Sequence, residues 1–384
     1  INKALKRIKP GGTIILAPGV YTENVAISKK TNVRIIGAAN QGSIIAPSGG
    51  EGIKVALSDN ITIQNVWLRS SQGRGMAVMG ASVNLENIKT DGTRDDGVVA
   101  ARYQGRGAVL NVESSHFDSV QLGAGLNLQG GSSATINNSS FNGVGTSPNA
   151  NQSSNGLVLS GDASANITNS QFIGNTNGGL VAQENSRVTV RGSTFSSNKK
   201  GNGALFIGGS TADLQGNTFS SNGVVYGPVT GLNGLEFLNG FSGNALVSGN
   251  TFVNNTANGI YIGGAINTIQ VVNNVFDNNY VGITMDTATG TTANVVVQGN
   301  AIRVPAGTAR GPVGILAIGR GLTATIGGDG GLGNTFENYV TGTFIYIADG
   351  NGDDHSAGFP NLTILSNSYT ANGRPVSPAD AIHR

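Results

Sequence analysis

Short apolar segments recur along the whole chain and are separated by Gly, Asn and Ser. One segment of each repeat carries an aromatic residue in a Ser/Asn-x-Phe pattern, with typical spacings of 22 to 26 residues. Two further apolar segments complete the repeat, so the pattern predicts a coil with three short strands per turn, each pairing in parallel with its equivalent one turn later. The aromatic position is filled by Phe117, Phe141, Phe172, Phe195, Phe219, Phe252, Phe276, Phe336 and Tyr369, and by Val66, Ile88 and Ile302 in three other copies.

Polar residues keep a fixed distance from this aromatic position. Two residues before it stand Ser115, Ser139, Ser170, Ser193, Asn217, Asn250, Asn274, Asn300, Asn334 and Asn367. Three residues after it stand Asn175, Asn198, Asn222, Asn255, Asn279 and Asn372. Stacked Asn amides hydrogen-bond along such a column and satisfy the backbone of a sharp bend. We therefore predict structural asparagine ladders rather than ligand-binding residues.

The first nine residues have a different period. Ile1, Ala4, Leu5 and Ile8 fall on one face of a helix, at positions i, i+3, i+4 and i+7. Such an amphipathic helix is suited to cover the open end of a coil, whose unpaired strand edges would otherwise promote aggregation. We predict a cap helix at this end.

The segment after this helix reads Pro-Gly-Gly-Thr-Ile-Ile-Leu-Ala-Pro-Gly-Val-Tyr-Thr-Glu, from Pro10 to Glu23. It resembles the opening of many proteins in the pectate-lyase-like superfamily of right-handed β-helices, in which a cap helix leads into a Pro-Gly-x-Thr-Ile-x-Leu-x-Pro-Gly-x-Tyr strand pair. The resemblance implies an all-β protein that is a single right-handed parallel β-helix. The expected domain spans 1–384, with the cap helix at 1–9, coils at 10–372 and a tail at 373–384.

The resemblance is specific for fold, because that superfamily contains lyases, hydrolases, esterases, epimerases and non-catalytic surface proteins. The Asp-Phe-Ile-Phe-Gly strand of pectin methylesterases and the Gly-His-Gly of polygalacturonases are absent from this sequence. The Trp-x-Asp-His of pectate lyases and the Asp-Pro-His of alginate epimerases are absent as well. No catalytic set of a known family can be transferred to this chain.

The composition of the chain limits the classes of molecule that it is expected to bind and the compartment in which it is expected to work. The net charge is +2 and no basic run exists, which argues against nucleic acid. No apolar stretch approaches the roughly 20 residues of a membrane-spanning helix. Cysteine is absent, which excludes disulfides and thiol chemistry and is common in secreted bacterial proteins. We expect an extracellular or cell-surface location, with a leader sequence removed ahead of Ile1.

The charged residues are unevenly distributed. Residues 69–118 carry twelve Asp, Glu, Lys or Arg, whereas residues 119–183 carry only Asp162. A regular coil gains nothing from such clustering, so the dense region is the candidate site. With Val66, Ile88 and Phe117 aligned in one inward column, the flanking residues face outward because neighbours on a strand point to opposite sides. The predicted outward columns are Trp67, Lys89 and Asp118; Asn65, Asn87 and His116; and Arg69, Asp91 and Val120.

Each charged or aromatic residue of this region has a chemical interpretation and a structural alternative. Trp67 can stack on a sugar ring or cover a loop. Lys89, Arg69 and Arg94 can hold uronate carboxylates, or can form ion pairs with Asp91 or Asp95. His116 and Asp118 can act as an acid–base pair, or can simply face solvent. The remaining candidates, which can bind Ca²⁺ or cap a turn, are Asp91, Asp95 and Asp96.

A second acidic segment lies near the end of the chain. Asp349, Asn351 and Asp353 have the Asp-x-Asn-x-Asp alternation of calcium loops. The segment is not an EF-hand, since Asp354 replaces the Gly of the sixth position and Pro360 stands where the distal Glu belongs. We predict a surface Ca²⁺ loop here.

Two classes of function fit these features. In the first, the chain binds an extended polysaccharide at 65–118 and cleaves it as a lyase or hydrolase. A lyase would use Lys89, His116 or an Arg as base, and a hydrolase would use two of the four aspartates Asp91, Asp95, Asp96 and Asp118. In the second, the coil is a non-catalytic structural, adhesive or fibre protein. Its charged belt would then serve self-association or surface attachment.

Overall fold

The computed structural model describes residues 1–69, 72–145, 154–223, 232–238, 240–265, 267–287, 291–307, 312–340, 342–349 and 359–383. These residues form two compact units, Ile1–Val188 and Thr189–Arg384. The strand Arg187–Arg191 contains the boundary between them. The helices are Asn2–Leu5 and Pro378–Ala381, and Ala39–Gln41 is a 3₁₀ turn.

Each turn of the first unit contributes one strand to each of three parallel sheets. Sheet 1 contains Thr13–Ile15, Arg34–Ile36, Ile61–Gln64, Ser82–Glu86, Val109–Glu113, Ser133–Asn137 and Ser164–Thr168. Sheet 2 contains Gly19–Tyr21, Ser43–Ile45, Val66–Arg69, Lys89–Asp91, His116–Phe117, Ser140–Asn142 and Gln171–Ile173. Sheet 3 contains Val25–Ser28, Ile53–Ala56, Met76–Met79, Val98–Ala101, Leu126–Gln129, Asn155–Ser160 and Gly178–Ala182.

The second unit repeats this order, and its sheets are numbered in the same way. Sheet 1 contains Thr211–Gln215, Ala245–Ser248, Thr268–Val272, Ala293–Gln298, Leu322–Ile326 and Asn361–Ile364. Sheet 2 contains Thr194–Ser196, Thr218–Ser220, Thr251–Val253, Val275–Asp277, Ala301–Arg303, Thr335–Glu337, Ser368–Ala371 and Arg374–Pro375. Sheet 3 contains Ala204–Phe206, Leu235–Phe237, Asn258–Ile262, Val281–Asp286, Val313–Ile318, Ile345–Ala348 and Ile382–His383. The predicted all-β fold, a parallel β-helix with three short strands per turn, is confirmed.

The aromatic column forms the core of the coil, as the repeat predicts. Phe141 stacks on Phe117 and Phe172 with ring centroids 4.9 and 4.7 Å apart. In the second unit, Phe219 stacks on Phe195 at 4.8 Å and on Phe252 at 4.9 Å. The ring spacing follows the roughly 4.8 Å separation of neighbouring strands, so each ring packs against the next without a gap.

The polar columns are hydrogen-bonded ladders. Each Asn from Asn217 to Asn334 donates its backbone N–H and its side-chain Nδ2 to Oδ1 of the Asn one turn on, at 2.9 to 3.0 Å. In the first unit Ser residues occupy the equivalent positions of the bend and accept the backbone N–H of the preceding turn. The backbone N–H of Ser115, for example, donates to Ser139 Oγ at 3.1 Å. Asn372 is an exception to the prediction: it is exposed, with a backbone φ of 50°.

A glycine column accompanies sheet 3, where the chain enters each strand. A Cβ added to Gly282 would lie 2.5 Å from the carbonyl oxygen of Gly314 and 2.9 Å from Ile302 Cγ2. We expect Gly282→Ala to lower the free energy of unfolding by about 1–3 kcal/mol. The added Cβ needs space between neighbouring turns, and these turns cannot separate without breaking the hydrogen bonds between their strands. Chemical denaturation measures this effect. Gly49→Ala is the control, since a Cβ there would meet no atom within 4 Å, and an equal loss in both variants would contradict the close packing.

The two ends differ in detail from the prediction. The first helix is Asn2–Leu5 rather than 1–9, with only Leu5 buried. It is positioned by Asn2, whose Oδ1 accepts from the Ala26 N–H and whose Nδ2 donates to the Asn24 carbonyl. The predicted tail contains the helix Pro378–Ala381 and the strand Ile382–His383, which pairs with Ile345–Ala348.

Candidate functional site

Six of the predicted site residues lie together on the outward face of sheet 2 in the first unit. Trp67 pairs with Lys89, and Lys89 pairs with His116 on the following turn. Two residues further along the same strands, Arg69 pairs with Asp91, and Asp118 follows Phe117 on the next turn. We call these six residues, Trp67, Arg69, Lys89, Asp91, His116 and Asp118, the outer patch.

The predicted alignment of Trp67 with Lys89 and of Arg69 with Asp91 is confirmed, but the predicted alignment of Ile88 with Phe117 is wrong by two residues. The inward column contains Leu68, Thr90 and Phe117, not Val66, Ile88 and Phe117. His116 therefore shares a column with Trp67 and Lys89. Asp118 moves beside Asp91, whose predicted neighbour was Val120. A slip of two residues preserves the alternation of inward and outward positions, so the pattern of apolar residues could not reveal it.

Trp67 is half-buried and holds two cations. Lys89 Nζ lies 4.5 Å from the centre of its ring and Arg69 Cζ lies 4.9 Å from it. Both distances are within the range of a cation–π interaction. The indole Nε1 is buried and has no hydrogen-bond partner within the described part of the chain. The ring thus positions Lys89 and Arg69 rather than presenting an open face to a sugar.

The Lys89 ammonium is paired loosely and remains accessible. Its Nζ lies 3.7 Å from Asp91 Oδ2, and the two side chains are 31% and 34% exposed. A surface pair of this kind contributes little to stability. A ligand carboxylate can therefore compete with Asp91 for Lys89 at small cost.

His116, Ser140 and Asp118 form a hydrogen-bonded chain. His116 Nδ1 lies 2.8 Å from Ser140 Oγ, and Ser140 Oγ donates to Asp118 Oδ1 at 3.4 Å. The same Asp118 oxygen accepts the backbone N–H of Asn142 at 3.2 Å. Burial raises the pKa of Asp118, although the charges of His116 and Lys89 and these hydrogen bonds oppose the shift.

These hydrogen bonds among His116, Ser140 and Asp118 fix the orientation of the imidazole ring. The Ser140 hydroxyl has one proton, and when it donates that proton to Asp118 its oxygen accepts from the imidazole Nδ1–H. The neutral imidazole then keeps its lone pair on Nε2, and His116 is exposed. The arrangement presents a general base to a ligand lying across the outer patch.

Ser140 was missed by sequence analysis. It pairs with His116 one turn on and is 7% exposed. The aromatic repeat already aligned the two residues, because Ser140 precedes Phe141 as His116 precedes Phe117. What the repeat could not show is that the Ser140 hydroxyl contacts both the imidazole and the Asp118 carboxylate.

The other predicted residues of this region lie at the bend that follows Lys89–Asp91. Arg94 and Asp95 are exposed, and their side chains contact no other described residue by a hydrogen bond or ion pair. Asp96 is buried, where its Oδ1 accepts the Ala124 N–H at 3.0 Å and its Oδ2 lies 3.5 Å from Arg74 Nε. Burial raises the pKa of Asp96, opposed by these contacts. Asp96 therefore caps the start of a sheet 3 strand.

The predicted calcium loop falls mostly outside the described residues. Asp349 is buried, and Asn351 and Asp353 are not described. Within the described ranges, no group of three or more His, Asp or Glu side chains is arranged to hold a metal ion. The Ca²⁺ loop stays a prediction.

Comparisons with known proteins concern the fold. The family model of the right-handed β-helix region matches residues 124–329 and 184–376, which together exceed half of the chain and begin after the outer patch. No curated protein matches the sequence. Among the described helices, none has the length and apolar character needed to cross a membrane.

Solved structures with the same fold include two alginate lyases and a tailspike. The alginate lyase AlyF-OU02, solved with G6, is 11% identical with a TM-score of 0.53, over 99% of this chain and 88% of that one. A PL6 alginate lyase bound to a trisaccharide is 11% identical with a TM-score of 0.52, over 100% and 88%. The Dettilon tailspike protein is 13% identical with a TM-score of 0.52, over 95% of this chain but only 65% of the tailspike. Identities this low establish a shared fold and nothing finer.

Proposed function

Because the chain belongs to the right-handed β-helix family and carries the outer patch on one face of that fold, we propose that it binds an acidic polysaccharide there and cleaves it by β-elimination. The fold supports the choice of a polysaccharide as the ligand, since proteins named as alginate lyases share this fold. The residues of the patch support the acidic sugar and the reaction.

The observation that carries the proposal is the column of Trp67, Lys89 and His116. Successive strands of a sheet are about 4.8 Å apart, so the cation and the imidazole face a ligand from adjacent turns. Lys89 and Arg69, held by the Trp67 ring, provide positive charge for the carboxylate of a uronate. His116 provides the base beside it.

The reaction balances with these groups and proton exchange with solvent. His116 Nε2 takes the proton from C5 of the uronate, and the C–H electron pair becomes the double bond between C4 and C5. The C4–O bond breaks, and the leaving oxygen takes a proton from solvent. Negative charge grows on the uronate carboxylate in the transition state, where Lys89 and Arg69 stabilise it. No water is consumed.

The first experiment is to incubate the purified chain with pectate, alginate, glucuronan and a neutral glucan, and to follow the ultraviolet absorbance of unsaturated uronate ends. We expect turnover of an acidic polymer, and a loss of about 100-fold or more in kcat for His116→Gln, since a general base contributes roughly that factor. His383→Gln in the second unit is the matched control and should retain full activity. Ser140→Ala should lower kcat, because the imidazole loses the hydrogen bond that fixes its orientation.

Binding is measured separately from turnover. Lys89→Gln should weaken binding of the acidic polymer, and the control Lys54→Gln, an exposed Lys on sheet 3, should not. Binding without cleavage by the intact protein would refute β-elimination and leave a carbohydrate-binding surface protein. An unchanged kcat in His116→Gln would show that the imidazole is not the base. An unchanged affinity in Lys89→Gln would show that the acidic polymer binds outside the outer patch.

A further inference from the structure

A cavity of about 310 Å³ lies in the second unit, at the bend between sheet 2 and sheet 3. We call it the bend cavity. The connection from Ile302 to Gly314 in this bend is six residues longer than the one from Phe276 to Gly282 one turn earlier, and it supplies two of the lining residues. The lining consists of Asn254, Asn255, Thr256, Asn278, Asn279, Tyr280, Val304 and Pro312.

The buried part of the lining is fixed by the asparagine ladder. The backbone N–H and Nδ2 of Asn255 donate to Asn279 Oδ1 at 3.1 and 2.9 Å. Asn279 Nδ2 donates to the Phe252 carbonyl at 2.8 Å. Val304 and Pro312 are buried beside them and add apolar surface. The amides of the two ladder residues are therefore occupied, and they support the cavity rather than bind a ligand.

Two exposed asparagines supply the polar groups of the lining. Asn254 and Asn278 both have a left-handed backbone, with φ of 55° and 53°, and Asn278 Nδ2 donates to Asn254 Oδ1 at 2.8 Å. Asn254 Nδ2 and Asn278 Oδ1 have no hydrogen-bond partner among the described residues. A donor and an acceptor thus remain for a ligand. Sugar hydroxyls use both, because a hydroxyl donates one hydrogen bond and accepts others.

Tyr280 is the aromatic member of the lining and is 59% exposed. Its backbone carbonyl accepts the Val313 N–H of the next turn at 3.3 Å. One turn earlier the equivalent position, directly after a ladder Asn, is filled by Thr256. A bend that is built with Thr does not need an aromatic ring for its packing. The exposed ring offers an apolar face to the C–H groups of a sugar.

The charges beside the cavity are compensated. The lining itself contains no charged residue. Asp277 and Arg303 directly precede Asn278 and Val304, and they bind each other, since Arg303 Nη2 and Nε donate to Asp277 Oδ2 at 2.9 and 3.1 Å. An aromatic face, apolar floor and a few amide groups are typical of a small-ligand pocket. They match an uncharged sugar, which has hydroxyls at its edge and C–H groups on its faces.

We propose that the bend cavity is a second carbohydrate-binding site, which takes an uncharged sugar unit of a glycan. The sugar ring stacks on Tyr280, and its hydroxyls bond to Asn254 and Asn278. The cavity volume lies near the lower end of the range of ligand pockets, so the occupant is a single sugar unit rather than a long segment. The site is independent of the outer patch, where Lys89 binds an acidic polymer.

The experiment is a titration of the full chain, followed by saturation-transfer NMR, with mono- and disaccharides of glucose, galactose, mannose and N-acetylglucosamine, and with galacturonate as the charged probe. We expect an uncharged sugar to bind, and Tyr280→Ala to weaken its binding by about tenfold or more. Tyr280→Phe keeps the ring and should retain most of the affinity. The control is Tyr103→Ala, which removes a ring that is 41% exposed in the first unit.

The amides are tested by Asn254→Gly and Asn278→Gly. Glycine removes the side chain and adopts the left-handed backbone without strain, so the fold is retained. Each variant should weaken sugar binding by about fivefold, the effect of one lost hydrogen bond. Asn273→Gly is the matched control, because Asn273 is exposed in the same unit with φ of 56° and lies outside the lining.

The outcomes separate this site from the outer patch. Sugar binding must survive Lys89→Gln and His116→Gln, and a failure of the intact protein to cleave acidic polymers would leave it unaffected. The proposal is overturned if no uncharged sugar binds, or if only galacturonate shows an affinity that depends on Tyr280. It is also overturned if Tyr280→Ala and Asn278→Gly leave the affinity intact, or if Tyr103→Ala and Asn273→Gly weaken it as much.

Discussion

Replacing Phe219 with Ala is expected to lower the free energy of unfolding by about 3–5 kcal/mol, the cost of removing a buried aromatic ring from a packed core. Phe219 is fully buried, and its ring stacks on Phe195 and Phe252 at 4.8 and 4.9 Å. Neighbouring turns are tied to each other by sheet and ladder hydrogen bonds, so they cannot move together to fill the cavity. Chemical denaturation followed by circular dichroism measures the change.

The control for Phe219→Ala is Tyr280→Ala, which removes a ring of similar size from an exposed position. It should change the free energy of unfolding by no more than about 0.5 kcal/mol. A loss below about 1 kcal/mol in Phe219→Ala would mean that the aromatic column does not form the core of the coil.

The second large effect is expected in the asparagine ladder. Asn250 Oδ1 accepts both the backbone N–H and the Nδ2 of Asn217, at 2.9 and 3.0 Å, in a fully buried setting. Its own Nδ2 donates to the Leu214 carbonyl at 2.9 Å and to Asn274 Oδ1 at 3.0 Å. Asn250→Ala leaves several buried polar groups without partners, each at about 1–3 kcal/mol. We expect a loss of about 2–4 kcal/mol in the same denaturation experiment.

Two further substitutions give the ladder experiment its controls. Asn294→Ala removes an exposed outward amide whose Nδ2 donates to Thr268 Oγ1, and should cost less than about 1 kcal/mol. Asn250→Ser should lose less stability than Asn250→Ala, because Ser serves the same bend in the first unit by accepting the preceding turn's N–H. Equal losses for the Ala and Ser variants would contradict the role given to the Oδ1 acceptor.

The ladders and the aromatic column were predictable because their signals are periodic and local. A Phe two residues after an Asn or Ser recurs in most turns, and each copy indicates the same inward position. Asn372, the one predicted ladder residue outside the column, follows the last described aromatic, Tyr369. Asn372 is exposed in a left-handed conformation, and the strand after it, Arg374–Pro375, pairs antiparallel with Ser368–Ala371. The parallel stacking on which the ladder depends is therefore interrupted at Asn372.

The candidate site was predictable in composition but not in geometry. Five of the six residues of the outer patch lie in the charge-dense region between residues 69 and 118, and the repeat register added Trp67. Which of them are neighbours depends on the strand register, and the Ile88 to Phe117 interval hides a two-residue offset. Alternation leaves that offset invisible, so the Lys89–His116 pair emerges only from the paired strands. The alignment of His116 with Ser140 follows from the repeat, but the hydrogen bonds that join His116, Ser140 and Asp118 do not.

Sheet 3 of the second unit separates what the repeat predicts from what it does not. Leu235-Glu236-Phe237 and Ile260-Tyr261-Ile262 read as apolar segments, and their middle residues were recognisable as outward positions. The Gly before each segment, Gly234 and Gly259, aligns Glu236 with Tyr261 as the paired strands do. Nothing local indicates that Asp286 accepts the Tyr261 hydroxyl from the next turn.

The sequence by itself determined the coil, its three strands per turn, its aromatic core and its asparagine ladders, because each depends on a period that every turn repeats. The tertiary structure decided which outward side chains of successive turns meet, and therefore where a base and a cation can act together. The physical reason is that the loops between strands differ in length from one turn to the next. Which residues of neighbouring turns pair therefore depends on the strand register, which no local pattern determines.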